Sequence, residues 1–316
     1  MRPSRIACLL WLLPCLAFAG AAQRHHVPDA AALDAEVVRL MSATHAQGLA
    51  VAVIDDGRIV HARAYGLRNA AGDPLQADTV MYGASLTKAV FGYTVVQLAQ
   101  EGLLDLDRPI AEYLDRPLPE YPTDRRYAAW SDLAGDERWR KLTPRILLNH
   151  GSGFGNFVPL SEPDGKLRIH FEPGSRYGYS GEGLILLQFV LEQGLGLDVG
   201  QEMQRRVFDR FGMRNTSMMW REDFARNLAD GWTADGGTQP HDQRSRVRAA
   251  GSMDTTIEDM ARFAAGYING EGLDARSAAN SCARNLQSPP LRSSPRCRRN
   301  FRRRSAVRIW RRGWAW

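Results

Sequence analysis

The sequence predicts an α/β protein whose sheet is unfinished, and three observations lead there. Residues 49–54 and 58–65 are strand-like runs joined through Asp55-Asp56-Gly57, and an Asp-Gly between two such runs is a strong hairpin signal. From Ser85 to Tyr267 the text turns helical, with apolar residues recurring three and four apart. Beyond Tyr267 nothing returns to strand periodicity, and a two-stranded hairpin alone is marginal in water, so helices must cover it.

Taken in order, a first helix is predicted over 31–44, apolar at Leu33, Val37, Val38, Leu40 and Met41. The hairpin comes next, then a polar loop over 66–73. Residues 85–100 put Ala89, Val90, Tyr93, Val96 and Leu98 on an apolar face, with Gly102 placed to end the helix. Residues 103–109 connect to a turn of helix over 110–114. The Pro-, Arg-, Asp- and Trp-rich text of 115–140 reads as an irregular surface insertion. A short helix over 142–149 opens at Thr143-Pro144, and a strongly apolar helix covers 182–192. Amphipathic helices are predicted over 199–211 and 257–267, the second with Thr255-Thr256 at its N-cap.

Composition bounds the function. The 316 residues are 44% hydrophobic and 24% charged, which is ordinary for a globular chain with a sizeable core. The net charge of +6 is uneven. Twelve of the 41 Lys and Arg are arginines between Arg276 and Trp316, leaving 29 basic against 35 acidic groups, about −6, on residues 1–275. The body is mildly acidic and no nucleic-acid partner is expected.

At the start, Arg2 and Arg5 precede an apolar run over 6–18 and an Ala17-Phe18-Ala19 cleavage site, so 1–19 reads as a signal peptide. That run is too short for a stable membrane span, and the mature protein is expected in the periplasm or outside the cell. Cys8 and Cys15 leave with the leader; Cys282 and Cys297 lie in the tail, so the body is no disulfide scaffold. No Cys/His cluster has zinc spacing, and neither metal nor cofactor is expected. The chain divides into the leader, one domain over 20–274, and an Arg-rich, disordered tail over 275–316. The abrupt change of composition near Asp274 points to a change of reading frame.

Ser85-Leu86-Thr87-Lys88 is an S-x-x-K run at the head of a predicted helix. Positions i and i+3 share a helix face, so Lys88 can set its amine beside the Ser85 hydroxyl. A serine hydroxyl needs an adjacent base, and a lysine serves when burial lowers its pKa. The helix N-terminus also favours developing negative charge.

The surrounding text resembles the serine β-lactamases of class C and the related DD-peptidases and esterases. Val80-Met81-Tyr82-Gly83-Ala84 leading into Ser85 is similar to their nucleophile segment. The stretch from Gly102 through Leu103-Leu104-Asp105-Leu106-Asp107-Arg108-Pro109 to Ile110 resembles the family's segment after that helix. Leu142-Thr143-Pro144-Arg145-Ile146-Leu147-Leu148-Asn149-His150-Gly151-Ser152-Gly153 is similar to the family's T-hydrophobic-L-L-x-H-x-S-G segment. Phe171-Glu172-Pro173-Gly174-Ser175-Arg176-Tyr177-Gly178-Tyr179-Ser180-Gly181 resembles the segment carrying its second motif, Tyr-x-Asn or Tyr-x-Ser. The ordered matches span about residues 49–267.

The resemblance implies a β-lactamase/transpeptidase-like fold: a mixed sheet flanked by helices plus an all-helical region, the site in the cleft between them, and the sheet incomplete here. It implies Ser85 as nucleophile, Lys88 as its base and Tyr179 as the proton shuttle, with Tyr177 an alternative offset by two residues. Gly181 departs from the family motif, since it has no side chain to bond a substrate amide. His150 is implied to be structural; Asp56 and Asp105 are a turn residue and a surface or capping acid. The family's third motif, Lys/His-Thr/Ser-Gly, occurs nowhere after Tyr179 in the sequence. The implied activity is acyl transfer from a β-lactam, a D-Ala peptide or a small ester, Gly181 leaning toward the ester. The alternative is a non-catalytic member of the family. The expected partner is a small-molecule or peptide substrate.

Overall fold

The computed structural model describes residues 27–275, 277 and 278. The expected leader and all but three residues of the expected tail lie outside the described residues. Helix α1 (Ala30–Thr44) starts where the Asp29 carboxylate accepts the Ala32 N–H at 2.8 Å. Strands β1 (Gly48–Asp55) and β2 (Arg58–Gly66) form the expected antiparallel hairpin, from Gly48 opposite Gly66 to Asp55 opposite Arg58, with a register shift at Val53/Ile54. Its turn places Asp56 at φ 47° and Gly57 at φ 71°, a left-handed pair whose twist matches the flanking strands. The Tyr65 hydroxyl donates to Asp34 at 2.6 Å and docks α1 on the hairpin.

Strand β3 (Met81–Tyr82) runs into a tight turn at Ala84–Leu86 and then α2 (Thr87–Gln100). The helix ends as expected at Gly102: Leu103 N–H reaches the Leu98 carbonyl and Gly102 N–H that of Ala99, at 3.0 and 3.1 Å. The 115–140 segment is not a surface insertion. It folds as short 3₁₀ turns that bury Leu118, Trp130, Leu133 and Trp139 to 2% exposure or less. Single turns can aim one large side chain inward at irregular spacing, which a periodicity reading does not register.

Helix α3 (Pro144–Leu148) is capped by Thr143, as read from Thr143-Pro144. Helix α4 (Val158–Ser161) is one turn. Helix α5 (Gly181–Leu195) is buried over its whole circumference from Gly181 to Leu191 and capped by Ser180, whose hydroxyl accepts the Gly183 N–H at 2.9 Å. The single helix expected over 199–211 is divided. Helix α6 (Val199–Met203) widens into a π-type turn over Gln204–Phe208, where Asp209 N–H reaches back to the Gln204 carbonyl at 2.9 Å. Arg206 in that turn is buried between Glu101 and Glu202, 2.5 Å from each. Such a widened turn is a local bulge that hydropathy spacing does not reveal.

Strands β4 (Gly231–Trp232), β5 (Thr238–Gln239) and β6 (Asp254–Thr255) precede α7 (Ile257–Ile268), whose N-cap is Thr256. Among the described residues the strands form three antiparallel pairs, β1–β2, β3–β6 and β4–β5. Helix α7 lies across β1 and β2. The main core is shared by α2, α3, α5 and the 204–208 turn, with Phe91, Leu98, Leu147, Leu186, Leu187 and Phe208 at 1% exposure or less. Burying each such side chain stabilises by roughly 1.5–3 kcal/mol. Among the described residues a groove of about 800 Å³ runs along Ala89, Gly92 and Val96 of α2 toward Leu148, Leu184 and Phe263. Among the described residues no single helix is long and apolar enough to cross a membrane.

Candidate active site

The site is assembled at the head of α2, and its placement begins with strand pairing. Met81 and Tyr82 pair with Thr255 and Asp254, and the Gly83 N–H donates to the Met253 carbonyl at 2.8 Å. Ala84 then takes φ 43°, the left-handed region a side chain seldom occupies, which turns the chain sharply before Ser85. The Thr87 hydroxyl fixes this turn, donating to the Ala84 carbonyl at 2.5 Å and accepting from Met253 N–H at 3.1 Å. The turn exposes Ser85 and begins the helix without a side-chain cap.

One helical turn on, the Lys88 Nζ lies 2.9 Å from the Ser85 Oγ and donates to the Ala250 carbonyl at 2.5 Å. The Tyr179 ring centroid is 5.1 Å from the same nitrogen and the Phe157 centroid 5.8 Å. Burial holds the Lys88 pKa below the usual lysine range; the Tyr179 side chain opposes the shift. The structure thus brings Ser85, Lys88 and Tyr179 together around one amine. Tyr177, the alternative, is 60% exposed and meets the edge of His150 at 5.7 Å.

His150 forms no triad with Ser85. Its Nδ1 lies 3.2 Å from both the amide nitrogen and the carbonyl oxygen of Ser180, and its ring packs at 4.6 Å against Tyr179. Burial, reinforced by the nearby Lys88 charge, pushes its pKa down to about 4, so the ring is neutral at pH 7. It therefore backs the tyrosine. Asp56 sits in the hairpin turn, and the Asp105 carboxylate accepts the Asp107 N–H at 2.9 Å, a turn contact away from the site.

Three features of the site leave little trace in the sequence. The Ala250 carbonyl anchors the lysine through its backbone, so no side-chain motif marks it. Glu182, which the sequence presents as the first residue of an apolar helix, is a buried carboxyl whose Oε1 accepts the Val158 N–H at 3.0 Å while its Oε2 has no hydrogen-bond partner among the described residues. Burial raises its pKa. Phe157 occupies the space beside Gly181, and the missing side chain at 181 is the signal that could have found it. Among the described residues no three His, Cys, Asp or Glu side chains gather as a metal site would require.

In chemical terms the arrangement offers an exposed hydroxyl beside a partly desolvated amine. A neutral amine can donate one N–H to Ala250 and aim its lone pair at the Ser85 O–H. A phenol stands against the same amine, and it can give a proton to a leaving group.

Known proteins share this fold. The sequence profile described as Beta-lactamase matches residues 33–301. The esterase EstB of Burkholderia gladioli is 29% identical over 212 residues, 59% of this chain and 50% of its own. The lovastatin esterase of Penicillium rubens is 28% identical over 55% of this chain and 49% of its own. The D-alanyl-D-alanine-carboxypeptidase/endopeptidase AmpH of Escherichia coli is 24% identical over 72% of this chain and 58% of its own. The chain thus spans about half of the two esterases it matches. Among solved structures, the octameric penicillin-binding protein homologue from Pyrococcus abyssi superposes with a TM-score of 0.62 at 22% identity, covering 80% of this chain and 60% of that one. The D-alanine carboxypeptidase AmpC from Burkholderia cenocepacia gives 0.59 at 21% identity, covering 78% and 66%. These likenesses show a β-lactamase/transpeptidase-like fold.

Proposed function

The chain belongs to the β-lactamase family, and from that premise we propose that it is a serine hydrolase working through an acyl-enzyme. The observation that carries this reading is the 2.9 Å approach of Lys88 Nζ to Ser85 Oγ, with Tyr179 against the same amine. In the proposed cycle the neutral Lys88 accepts the Ser85 proton as Oγ attacks the substrate carbonyl. The resulting oxyanion faces the Ser85 backbone N–H, which heads the helix outside its hydrogen-bond ladder. Tyr179 delivers a proton to the leaving alkoxide or amine while Lys88 resupplies it. The covalent ester on Ser85 is then cleaved by water, with the same groups acting in reverse.

The substrate class favoured is a small ester rather than a β-lactam or D-Ala peptide. Gly181 offers no amide or hydroxyl to a substrate amide, and two of the similar proteins are named as esterases. The text of residues 1–19 supports export, with a working place in the periplasm or outside the cell. A second reading, a non-catalytic member, rests on one observation: no Lys/His-Thr/Ser-Gly tripeptide occurs after Tyr179.

Intact-mass spectrometry of the purified exported protein, with a fluorophosphonate and separately a penicillin, tests these readings. One adduct lost in Ser85→Ala is the expected result, stronger with the fluorophosphonate. No adduct on protein shown to be folded establishes the non-catalytic reading, and the unlabelled mass reports whether the leader was removed.

A further inference from the structure

The absence of a side chain at Gly181 leaves no gap in the site. A Cβ built there would lie 2.3 and 2.4 Å from the Cε1 and Cζ atoms of Phe157 and 2.9 Å from the Asn156 carbonyl oxygen. Those separations are far inside van der Waals contact, so the Phe157 ring fills the place that a side chain at 181 would take. The ring also faces the reacting groups, with its centroid 5.8 Å from the Lys88 amine.

Phe157 is held there. Both its neighbours and the residue before them are tied to the segment after Tyr179. The Ser180 hydroxyl donates to the Gly155 carbonyl at 2.8 Å, and the Gly181 N–H donates to the Asn156 side-chain oxygen at 3.0 Å. The Glu182 N–H donates to the Asn156 carbonyl at 2.8 Å, and the Val158 N–H donates to the Glu182 carboxyl at 3.0 Å. Four hydrogen bonds within four residues clamp the 155–158 loop onto the start of α5. The ring is half-buried, packed against the main core as well as against Gly181. Leu86, next to the nucleophile, is 51% exposed and adds apolar surface at the same helix head.

We propose that Phe157 is a specificity-determining residue: its ring forms an apolar wall for the acyl group of the substrate, selecting esters of aryl or branched aliphatic acids over acetyl esters and over acyl groups that carry an amide. The proposal rests on the serine-hydrolase reading above and narrows its substrate class. A hydrocarbon or aromatic acyl group removes the exposed side of the ring from water. An amide placed there would lose its hydration and find a ring where it needs a donor or acceptor. Gly181 is the matching half of the device, since any larger residue displaces the ring.

The test uses the full exported chain and compares kcat/KM for p-nitrophenyl phenylacetate with that for p-nitrophenyl acetate. Fluorophosphonate labelling of Ser85 is measured on the same samples. The parent is expected to prefer the phenylacetyl ester. Phe157→Ala is expected to lower the phenylacetate-to-acetate ratio at least tenfold while the fluorophosphonate adduct persists. Phe157→Leu, which keeps an apolar side chain and serves if the alanine variant does not fold, is expected to fall between. An unchanged ratio in the variants, with labelling intact, overturns the proposal and leaves the serine-hydrolase reading standing. No labelling of the folded parent overturns both.

Discussion

Two helices begin at this site, and they are held in opposite ways. Helix α5 carries Tyr179 and Ser180 at its head; it is buried all round for three turns and closed by caps at both ends. Helix α2 carries Ser85 and Lys88; it has no side-chain cap, enters through the left-handed Ala84, and leaves a groove of about 800 Å³ along one face. The tyrosine side of the site is therefore positioned by the core. The serine side is positioned by hydrogen bonds from the 250–253 segment and by β3–β6 pairing. The nucleophile and its base thus sit on the helix with a groove along one face, and the tyrosine on the helix buried all round. Substitutions on those faces should differ in what they cost.

The largest effect is expected at the head of α2. Lys88→Ala should slow fluorophosphonate labelling of Ser85 by about 10³-fold or more, since the hydroxyl loses its base. Ser85 is exposed, so Ser85→Ala should abolish labelling yet leave the unfolding free energy from denaturant titration within about 0.5 kcal/mol of the parent. A Ser85→Ala protein that unfolds early would mean the nucleophile turn carries stability after all.

Next come the helix bodies. Leu187→Ala in α5 should cost about 2–5 kcal/mol, because the side chain is fully buried in packed core. Val96→Ala, on the groove face of α2, should cost less than about 1 kcal/mol. Urea unfolding of the two variants measures the difference directly. Equal losses would dissolve the contrast between the helices.

A smaller effect separates the groups that back the tyrosine. His150 has a folded pKa of about 4 against an ordinary value of 6.5. The folded state thus disfavours the charged ring, and stability present above pH 6.5 is lost as pH falls toward 4. The loss should be on the order of 2 kcal/mol after allowance for solvent at the part-exposed ring. Thermal unfolding from pH 7 to pH 4 should show it, and His150→Gln should flatten that limb. An unchanged acid limb in the glutamine variant would assign it to other groups.

The smallest effect has the opposite sign of pH dependence. Burial raises the Glu182 pKa above its ordinary 4.5, so the folded state favours the protonated carboxyl. Its stabilising contribution is complete below 4.5 and is lost as pH rises through the higher folded value. Melting curves of the parent and Glu182→Gln should therefore diverge toward alkaline pH, with the glutamine variant the more stable there. Parallel curves would show that the carboxyl is not desolvated.

Legibility in the sequence divides along the same line. Ser85 and Lys88 are legible because their roles need only a fixed i, i+3 spacing at a helix head. Tyr179 is legible because an ordered set of segments locates it. The hairpin is marked by its Asp-Gly, and α5 by unbroken apolar text. Trp130 and Trp139 look like surface residues in the sequence because their burial depends on single turns with no period. The widening after Met203 leaves no mark, since the apolar positions on either side keep a helical rhythm. Phe157 is invisible for a further reason: its place is defined by the side chain Gly181 lacks, and two residues 24 positions apart become one feature only after folding.

The left-handed turn at Ala84 limits what mutation can reach at this site. Single-nucleotide changes of an alanine codon lead to Gly, Asp, Glu, Ser, Thr, Val or Pro. Glycine accepts φ 43° without penalty and aspartate tolerates it. Valine and threonine would crowd the backbone with a branched Cβ, and proline cannot take a positive φ at all. Three of these seven one-step neighbours are thereby closed to the lineage, so the residue before the nucleophile should drift within a small alphabet even though its own side chain performs no chemistry.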